Sequence, residues 1–248
     1  MSQNLTTREE RESKHFDKLA RECGYAWWGS QTLAAKMRIQ RRINLIKKIL
    51  PLKAGDKILE CGCGTGDFTL DVSNALDEKI FIYAIDLSEA QIDVAKNKIK
   101  KQNINFIVDS LTKMTFEDSY FDFVVGNAIL HHLDVYNALK EIKRVLKSGG
   151  RLLFFEPNMA NPQIWLSLNI KPFREFYQAS PDETAFWHWE IKKTLLSLDF
   201  KNVMVKPFDF IHPLIPKSFL DIAKKTENIL EKTFFNEIAG SLIITAEK

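Results

Sequence analysis

The chain has 248 residues, of which 45% are hydrophobic and 27% charged, and its formal net charge is +3. The sequence has no dense basic tract of the kind that is typical of nucleic-acid-binding proteins. Its three cysteines do not indicate a disulfide framework, and no second Cys/His pair completes a zinc site, so we predict no bound metal. The polar N-terminus resembles neither a signal nor a transit peptide, and no apolar run is long enough to span a bilayer, which predicts a cytoplasmic protein.

The N-terminal fifty residues are predicted to form a helical lid or cap (1–50). Apolar residues between 31 and 50 recur at helical spacing, and Pro51 ends the pattern. Before this helix lies the aromatic segment Tyr25-Ala-Trp27-Trp28-Gly29. We interpret that segment either as a mobile lid that closes over a ligand or as a permanently packed aromatic anchor.

Strands and helices alternate from residue 57 to residue 157. A capping box at Ser88 and Gln91 opens one helix, and Asp134 caps another that is predicted to run to Leu146. Repeated strand–helix units predict a mostly parallel sheet with helices on both faces, and residues 51–157 are assigned to this α/β core. The predicted strands are 57–61, 80–85, 104–108, 121–126 and 151–155.

The pattern loosens after Pro157, where prolines and aromatic residues at 158–183 predict a partly helical cover. A helix at 183–198, a strand at 201–210, a helical stretch at 216–235 and a strand at 241–246 follow. About thirty residues separate the last two strands, which is a long insertion. Residues 158–248 are therefore assigned to a substrate-side cover and to the completion of the sheet, within a single domain.

A glycine-rich turn follows the first strand. Residues 60–66 place Gly62, Gly64 and Gly66 at alternate positions after Glu60. Glycine adopts positive φ at low cost and lets the backbone approach a ligand, while the next helix points its free N–H groups at the same place. The spacing differs from the G-x-G-x-x-G of dinucleotide sites, and the Gly-Lys-Ser/Thr ending of a P-loop is missing.

Polar residues also follow the carboxyl ends of later strands, where open α/β sheets bind ligands. Asp86 follows the second strand, and its carboxylate can accept hydrogen bonds from both hydroxyls of a ribose. The alternative is that Asp86 caps the next helix, a role that Ser88 already fills. Asp109 follows the third strand, where it is either a ligand or a turn residue, and Asn127 ends the fourth strand.

The motif E-x-G-x-G-x-G, together with these later segments in the same order over about residues 55–157, resembles the class I S-adenosylmethionine-dependent methyltransferases, in particular their small-molecule, ubiquinone/menaquinone-type branch. The resemblance implies a Rossmann-like, seven-stranded, mostly parallel sheet with an N-terminal helical lid and helical insertions near the C-terminus. It implies S-adenosylmethionine as cofactor and S-adenosylhomocysteine as product. The residues it places at the cofactor are Glu60, Gly62, Cys63, Gly64, Thr65, Gly66, Asp86, Leu87, Asp109, Ser110 and Asn127.

Three residues are candidates for proton transfer. His131 and His132 follow the fourth strand, and an unperturbed imidazole titrates near neutral pH. His132 is favoured because it aligns with the family's histidine before Leu or Val; the alternative is that it only hydrogen-bonds its loop. Glu156, which follows the fifth strand, is a candidate for acceptor binding or proton transfer.

The methyl acceptor is predicted to be a small or lipid-like molecule, methylated at oxygen, nitrogen or carbon. Gly126-Asn-Ala-Ile129 stands where amino methylation of adenine needs Asn/Asp-Pro-Pro-Tyr/Phe, and no cysteine follows Cys63 to attack a pyrimidine, so no nucleic acid is expected. Aromatic residues of the cover suit an apolar or ring-bearing molecule. A protein or nucleic-acid methyltransferase and an inactive nucleoside-binding module remain alternatives, and the oligomeric state is not specified.

The stretch 216–235 carries apolar residues at near-helical spacing with lysines between them. We interpret it as a helix that packs on the body or on a second subunit. The alternative is an amphipathic surface that makes peripheral contact with a membrane, although Asp221, Glu227 and Glu231 weaken attraction to anionic headgroups. The apolar residues are Phe219, Ile222, Ala223, Leu230 and Phe234.

Overall fold

The computed structural model describes residues 7–23, 32–177, 180 and 182–248, with the side chains of 19–23 left out. The aromatic segment at 25–29, which the sequence predicts to be a lid or an anchor, lies outside the described residues. None of the helices in these ranges has both the length and the apolar character needed to cross a membrane.

Seven strands form one sheet in the order β3-β2-β1-β4-β5-β7-β6. The first five strands in this order run parallel, and β7 lies antiparallel between β5 and β6. The predicted seven-stranded, mostly parallel sheet is confirmed. The strands are β1 Lys57–Cys61, β2 Phe81–Asp86, β3 Ile104–Val108, β4 Phe121–Asn127, β5 Leu146–Pro157, β6 Lys201–Phe208 and β7 Ser241–Glu247.

The predicted helix caps are also confirmed. Ser88 accepts a hydrogen bond from the Gln91 N–H, and Asp134 accepts one from the Asn137 N–H. Each cap satisfies a donor that the first helical turn leaves without a partner. The helices are α1 Arg8–Cys23, α2 Leu33–Ile49, α3 Asp67–Ala75, α4 Glu89–Lys98, α5 Val135–Val145, α6 Pro162–Asn169, α7 Lys171–Phe176, α8 His188–Ser197 and α9 Leu220–Leu230, with 3₁₀ turns at Leu130–His132, Lys217–Phe219 and Phe234–Ile238.

Helices pack on both faces of the sheet and enclose two apolar layers. On one face Leu139 of α5 and Leu195 of α8 are fully buried; on the other face Ile46 of α2 and Ile92 of α4 are fully buried. Burial of each such side chain contributes roughly 1.5–3 kcal/mol. Because both faces are covered, the carboxyl edge of the parallel strands is left to form a ligand site.

Several element boundaries differ from the sequence prediction, and the largest change in a strand is that β5 begins at Leu146 and not at residue 151. α8 begins at His188 and not at residue 183, because the backbone around Phe186 is extended: its N–H donates to Pro157 O at 3.1 Å and its carbonyl accepts from the Met159 N–H at 2.9 Å. β6 ends at Phe208, two residues early, because Asp209 adopts a φ of 76°, which is incompatible with a strand.

Candidate active site

The glycine turn links β1 to α3 through three residues in the left-handed region. Gly62, Gly64 and Gly66 have φ values of 68°, 52° and 78°. A Cβ at Gly62 would lie 2.4 Å from Ile129 Cγ1, so a larger residue would not fit there. Gly66 precedes α3, and within the described part of the chain no side chain caps this helix, so its first-turn N–H groups suit an anionic ligand group.

Glu60 lies in β1 just before this turn, and Cys63 lies within the turn. Glu60 is 2% exposed, and among the described residues its Oε2 atom finds no hydrogen-bond partner. Burial, with a smaller contribution from Asp86, raises the pKa of Glu60 to about 8. Cys63 is buried, and burial raises the pKa of its thiol well above the usual range, so it packs in the turn and is not a nucleophile. Thr65 donates to Asp67 Oδ2 at 2.7 Å.

Asp86 holds the middle of the glycine turn and the loop that follows β2. Its Oδ2 accepts from the Gly64 N–H at 2.8 Å and its Oδ1 from the Ser88 N–H at 2.9 Å. Ser88 caps α4, as predicted, and the Asp86 carboxylate binds backbone N–H groups of its own. A carboxylate offers about four lone-pair sites, so two hydrogen bonds leave room for further donors. Leu87 follows Asp86 and is half-buried.

Asp109 shapes the loop after β3. It is 8% exposed, and its oxygens accept from the Ser110 N–H and from the Thr115 N–H and hydroxyl, each at 2.9 Å. The turn role that the sequence left open is thus present in the structure. Because β1, β2 and β3 are neighbours, the glycine turn, Asp86 and Asp109 come together along one stretch of the sheet edge.

Helix α1 crosses this edge and contacts three of its loops. Asp17 accepts from the Ser88 hydroxyl after β2, and Glu9 Oε1 accepts from the Ser110 hydroxyl after β3 at 2.9 Å. Arg8 donates to the carbonyl of His131 after β4 at 2.9 Å and to that of Asp182 in the cover at 2.7 Å. One helix therefore joins the β2 and β3 side of the sheet edge to the cover.

Glu156 holds the loop that carries the two histidines. Its Oε1 accepts from the N–H groups of Ile129 at 3.0 Å and Leu130 at 2.9 Å, and its Oε2 lies 2.7 Å from His131 Nδ1. Glu156 is 1% exposed. With each oxygen engaged in this way, Glu156 orients His131 and fixes the loop.

His132 pairs with a carboxylate from α1 that sequence reasoning did not identify. Its Nδ1 lies 3.0 Å from Glu12 Oε2, and Glu12 Oε1 accepts from the Ser180 hydroxyl at 2.8 Å. Burial and the neighbouring His131 lower the pKa of His132. Burial alone would raise the pKa of Glu12, but its hydrogen bonds to His132 and Ser180 outweigh that effect and lower it. The pair is thus a neutral imidazole beside a carboxylate.

The structure also brings Glu183 to the histidines. In the described ranges, His131, His132 and Glu183 each offer a potential metal-ligating atom, and these three atoms lie within 4.8 Å of one another. The sequence analysis did not foresee this group, because the cover segment places Glu183 beside residues some fifty positions earlier in the chain. The Nδ1 atoms of both histidines lie within 3.0 Å of carboxylates, an arrangement that suits proton transfer.

These residues line a cavity of about 400 Å³ at the carboxyl ends of β4 and β5. Its opposite side contains two arginines from α2 that the sequence analysis also missed. Asp209 Oδ2 lies 2.7 Å from Arg38 Nε and 3.3 Å from Arg42 Nη2. Arg42 also donates to the Asn127 side chain, and burial together with the charge of Arg38 lowers the pKa of Arg42 to about 10. Their spacing of four residues on one helix was the signal available in the sequence.

The comparison with known proteins agrees with this geometry. The family model of the methyltransferase domain matches residues 59–154. The demethylmenaquinone methyltransferase of Staphylococcus saprophyticus is 27% identical over 184 residues, covering 66% of this chain and 78% of the relative. That of Lactococcus lactis is 39% identical over 129 residues, covering 48% and 51%.

Solved structures show the same fold. A methyltransferase from Thermotoga maritima, described as a possible histamine N-methyltransferase, aligns with a TM-score of 0.68 at 18% identity, covering 95% of this chain and 99% of that one. The [4+2]-cyclase SpnF aligns with a TM-score of 0.70 at 18% identity, covering 98% and 97%. At this identity the structures bear on the fold alone. The motif order, the sheet and these sequence matches indicate a class I S-adenosylmethionine-dependent methyltransferase domain, and the chain is similar in sequence to the demethylmenaquinone methyltransferases.

Proposed function

We propose that this enzyme methylates a small, lipid-like acceptor bound in the 400 Å³ cavity. The observation that carries the proposal is the position of that cavity: it lies at the carboxyl ends of β4 and β5, with β4 next to the strand that precedes the glycine turn, and it is lined by both histidines together with apolar residues such as Ile164 and Leu168. The names of the sequence relatives, which refer to a lipid-like quinone precursor, support the same class of acceptor.

The residues at the sheet edge fit S-adenosylmethionine. The uncapped N-terminus of α3 and the glycine turn suit its carboxylate, and the unpartnered Oε2 of Glu60 suits its cationic amino group. We assign the ribose to Asp86 and the adenine to the loop of Asp109 and Ser110. Cys63, Thr65, Leu87 and Asn127 would complete the walls. When bound, the cofactor supplies a methyl group that its positively charged sulfur already activates.

We propose that His132 is the general base. Its lowered pKa keeps the imidazole neutral near pH 7, and with Nδ1 directed at Glu12 the Nε2 atom is left to accept a proton from an acceptor hydroxyl or acidic C–H. Glu12 fixes the ring and stabilises the imidazolium as it forms, while Glu156 and His131 hold the loop. A positioned base contributes about 10²–10⁴-fold to such a step, and alignment of the reactants on the order of 7–11 kcal/mol.

We propose no metal for this reaction, because the methyl group needs no further activation and both histidines have carboxylate partners. Dialysis against a chelator should then leave the rate of methyl transfer unchanged. A loss of activity that added Zn²⁺ or Mn²⁺ restores would instead place an ion at His131, His132 and Glu183.

The test of function is methyl transfer from labelled S-adenosylmethionine into cell extracts separated into lipid, small-molecule, protein and nucleic-acid fractions. We expect label in the lipid or small-molecule fraction, and its loss in His132→Asn. His188→Asn, a half-buried histidine outside the cavity, is the matched control and should retain activity. Label in protein or nucleic acid would contradict the proposed acceptor, and tight S-adenosylhomocysteine binding without transfer would indicate an inactive nucleoside-binding module.

A further inference from the structure

The insertion between β6 and β7 exposes an unusual amount of apolar surface. Phe234 is 78% exposed, and Ile222 and Ile229 are each 64% exposed. Exposed apolar groups of this density mark interaction surfaces in proteins. We call this the insertion surface; its large apolar members are Leu214, Phe219, Ile222, Ile229, Phe234, Phe235 and Ile238.

One face of helix α9 exposes the apolar residues Ile222 and Ile229, while Glu227 on the opposite face is buried. Phe219, Ile222 and Ile229 are separated by three and seven positions and so share one face, and all three are exposed. The opposite face contains Glu227, which is 7% exposed and lies 3.0 Å from Arg41 Nη1, and Glu231, whose Oε1 lies 2.6 Å from Arg41 Nη2. The structure therefore divides the apolar stripe that the sequence predicts, with Ala223 and Leu230 on the packed side and Phe219, Ile222 and Phe234 facing solvent.

The inward turn of these acids changes the charge of the insertion surface. Glu227 and Glu231 are two of the three acids that the sequence analysis counted against membrane attraction, and both are engaged with Arg41. The exposed charged residues that remain in this segment are four lysines and two acids: Lys217, Lys224, Lys225, Lys232, Asp221 and Glu237. Apolar side chains flanked by an excess of lysines are complementary to a bilayer that contains anionic lipids.

The insertion surface continues into the wall of the cavity. His212, which precedes Leu214 by two residues, lines the cavity and hydrogen-bonds Gln163 of α6 through its Nε2 at 2.8 Å. Next to this contact, α6 and α7 expose further aromatic side chains, with Trp165 at 46% and Phe176 at 76%. Exposed apolar side chains thus occur both on the insertion and on α6 and α7, which meet at the cavity wall near His212.

We propose that the insertion surface, with the aromatic residues of α6 and α7, docks on an anionic lipid bilayer. Docking there brings the His212 side of the cavity to the lipid, so an acceptor dissolved in the bilayer enters without crossing bulk water. A second copy of the chain is a poorer occupant, because a two-fold contact would place the lysines of one copy against those of the other. The inference extends the proposed function but uses none of its catalytic residues.

The test is flotation of the full chain with vesicles of phosphatidylcholine alone or with phosphatidylglycerol, at low and physiological salt. We expect binding to the phosphatidylglycerol vesicles, weakened by salt. The double variant Ile222→Ser/Ile229→Ser should weaken binding by about tenfold, and Lys224→Glu/Lys225→Glu should remove the preference for phosphatidylglycerol. Leu196→Ser on α8, whose side chain is 52% exposed, is the matched apolar control and should bind like the parent chain.

Absence of vesicle binding at both salt concentrations, or equal binding by all variants, overturns the proposal. A dimer in light scattering that Ile222→Ser/Ile229→Ser dissociates also overturns it, in favour of a second copy. Thermal unfolding and S-adenosylhomocysteine binding, measured on the same variants, show that they remain folded. These readouts also separate a failure of docking from a failure of the proposed function, since cofactor binding does not require the bilayer.

Discussion

At the scale of single residues, carboxylates organise the site. Asp86, Asp109, Glu156 and Glu12 are each buried or half-buried and each fixes a neighbouring loop or ring. Three of them were predictable, because they follow the ends of recognisable strands. Their protein partners were not, since those N–H groups come from loops whose course depends on the whole edge of the sheet. Glu12 carries no sequence signal, because nothing local relates it to His132.

Substitution of Asp86 by alanine should weaken binding of S-adenosylhomocysteine by about 1.5–3 kcal/mol, the range for a hydrogen bond to a charged group. The variant also loses the contacts to the Gly64 and Ser88 N–H groups, so the glycine turn is less well held. Calorimetric titration measures the change. Asp93→Ala, which removes an exposed carboxylate on α4 seven residues later in the chain, is the control. Unchanged affinity in Asp86→Ala, or tight binding of NAD by the parent chain, would contradict the cofactor assignment.

Substitution of Glu12 by glutamine should change the pH profile of methyl transfer. The carboxylate of Glu12 raises the pKa of His132 against the larger opposing effect of burial, so its loss lowers that pKa further. The acidic limb of kcat/KM should therefore move to lower pH, while the plateau falls at least about tenfold.

The control for this experiment is Glu10→Gln, a carboxylate on the exposed side of the same helix. It should leave both the limb and the plateau in place. A purely structural role for Glu12 predicts a lower plateau with an unmoved limb. That outcome would remove Glu12 from the proton-transfer chemistry.

At the scale of elements, residue periodicity and helix caps predict whether a helix or strand is present. They predict less well where that element begins and ends and which of its faces is buried. Ser88 and Asp134 located the starts of α4 and α5 because a cap is a local interaction. The start of α8 was misplaced, because pairing of Phe186 with the end of β5 is not visible in the local sequence. The face of α9 was likewise set at a distance, by ion pairs with Arg41 of α2.

Helix α5 illustrates how such an element is held. The Leu139 side chain is fully buried in the apolar layer, at 0% exposure. Leu139→Ala should therefore lower the free energy of unfolding by about 2–5 kcal/mol. Urea denaturation measures this loss. Lys140→Ala, the exposed neighbour on the same helix, should change stability by no more than about 0.5 kcal/mol. Similar midpoints for the two variants would show that α5 is not part of the cooperative core.

At the scale of the whole molecule, the sequence was sufficient to predict the sheet and the edge at which ligands bind, because regular strand–helix alternation permits few topologies. It was not sufficient for the cavity, whose walls come from α1, α2, the cover and the insertion. Arg38 and Asp209 lie far apart in the chain, and their contact depends on how those four segments pack together.

Stability of the whole fold without cofactor should depend on pH through Glu60. Its pKa rises from 4.5 to about 8 on folding, so between these values the native state holds a proton that the unfolded state has lost. Stability therefore falls as pH rises across this window, by up to about 1.4 kcal/mol per pH unit. Glu60→Gln cannot ionise and should lose this slope. Urea unfolding at pH 5, 6.5 and 8 measures this pH dependence, and Glu190→Gln, at an exposed carboxylate, is the control. If Glu60→Gln and the parent chain depend on pH in the same way, Glu60 is not the group responsible.

The place of β7 in the sheet has a consequence for the order in which the molecule assembles. β6 pairs only with β7 in the described sheet, and β7 fills the gap beside β5, so β6 cannot join until β7 has arrived. Any partly folded species that contains the first five strands then presents the open edge of β5, a template for pairing between molecules. Refolding should accordingly show a late, slow phase for closure of the β5–β7–β6 group, with yields that fall as the protein concentration rises.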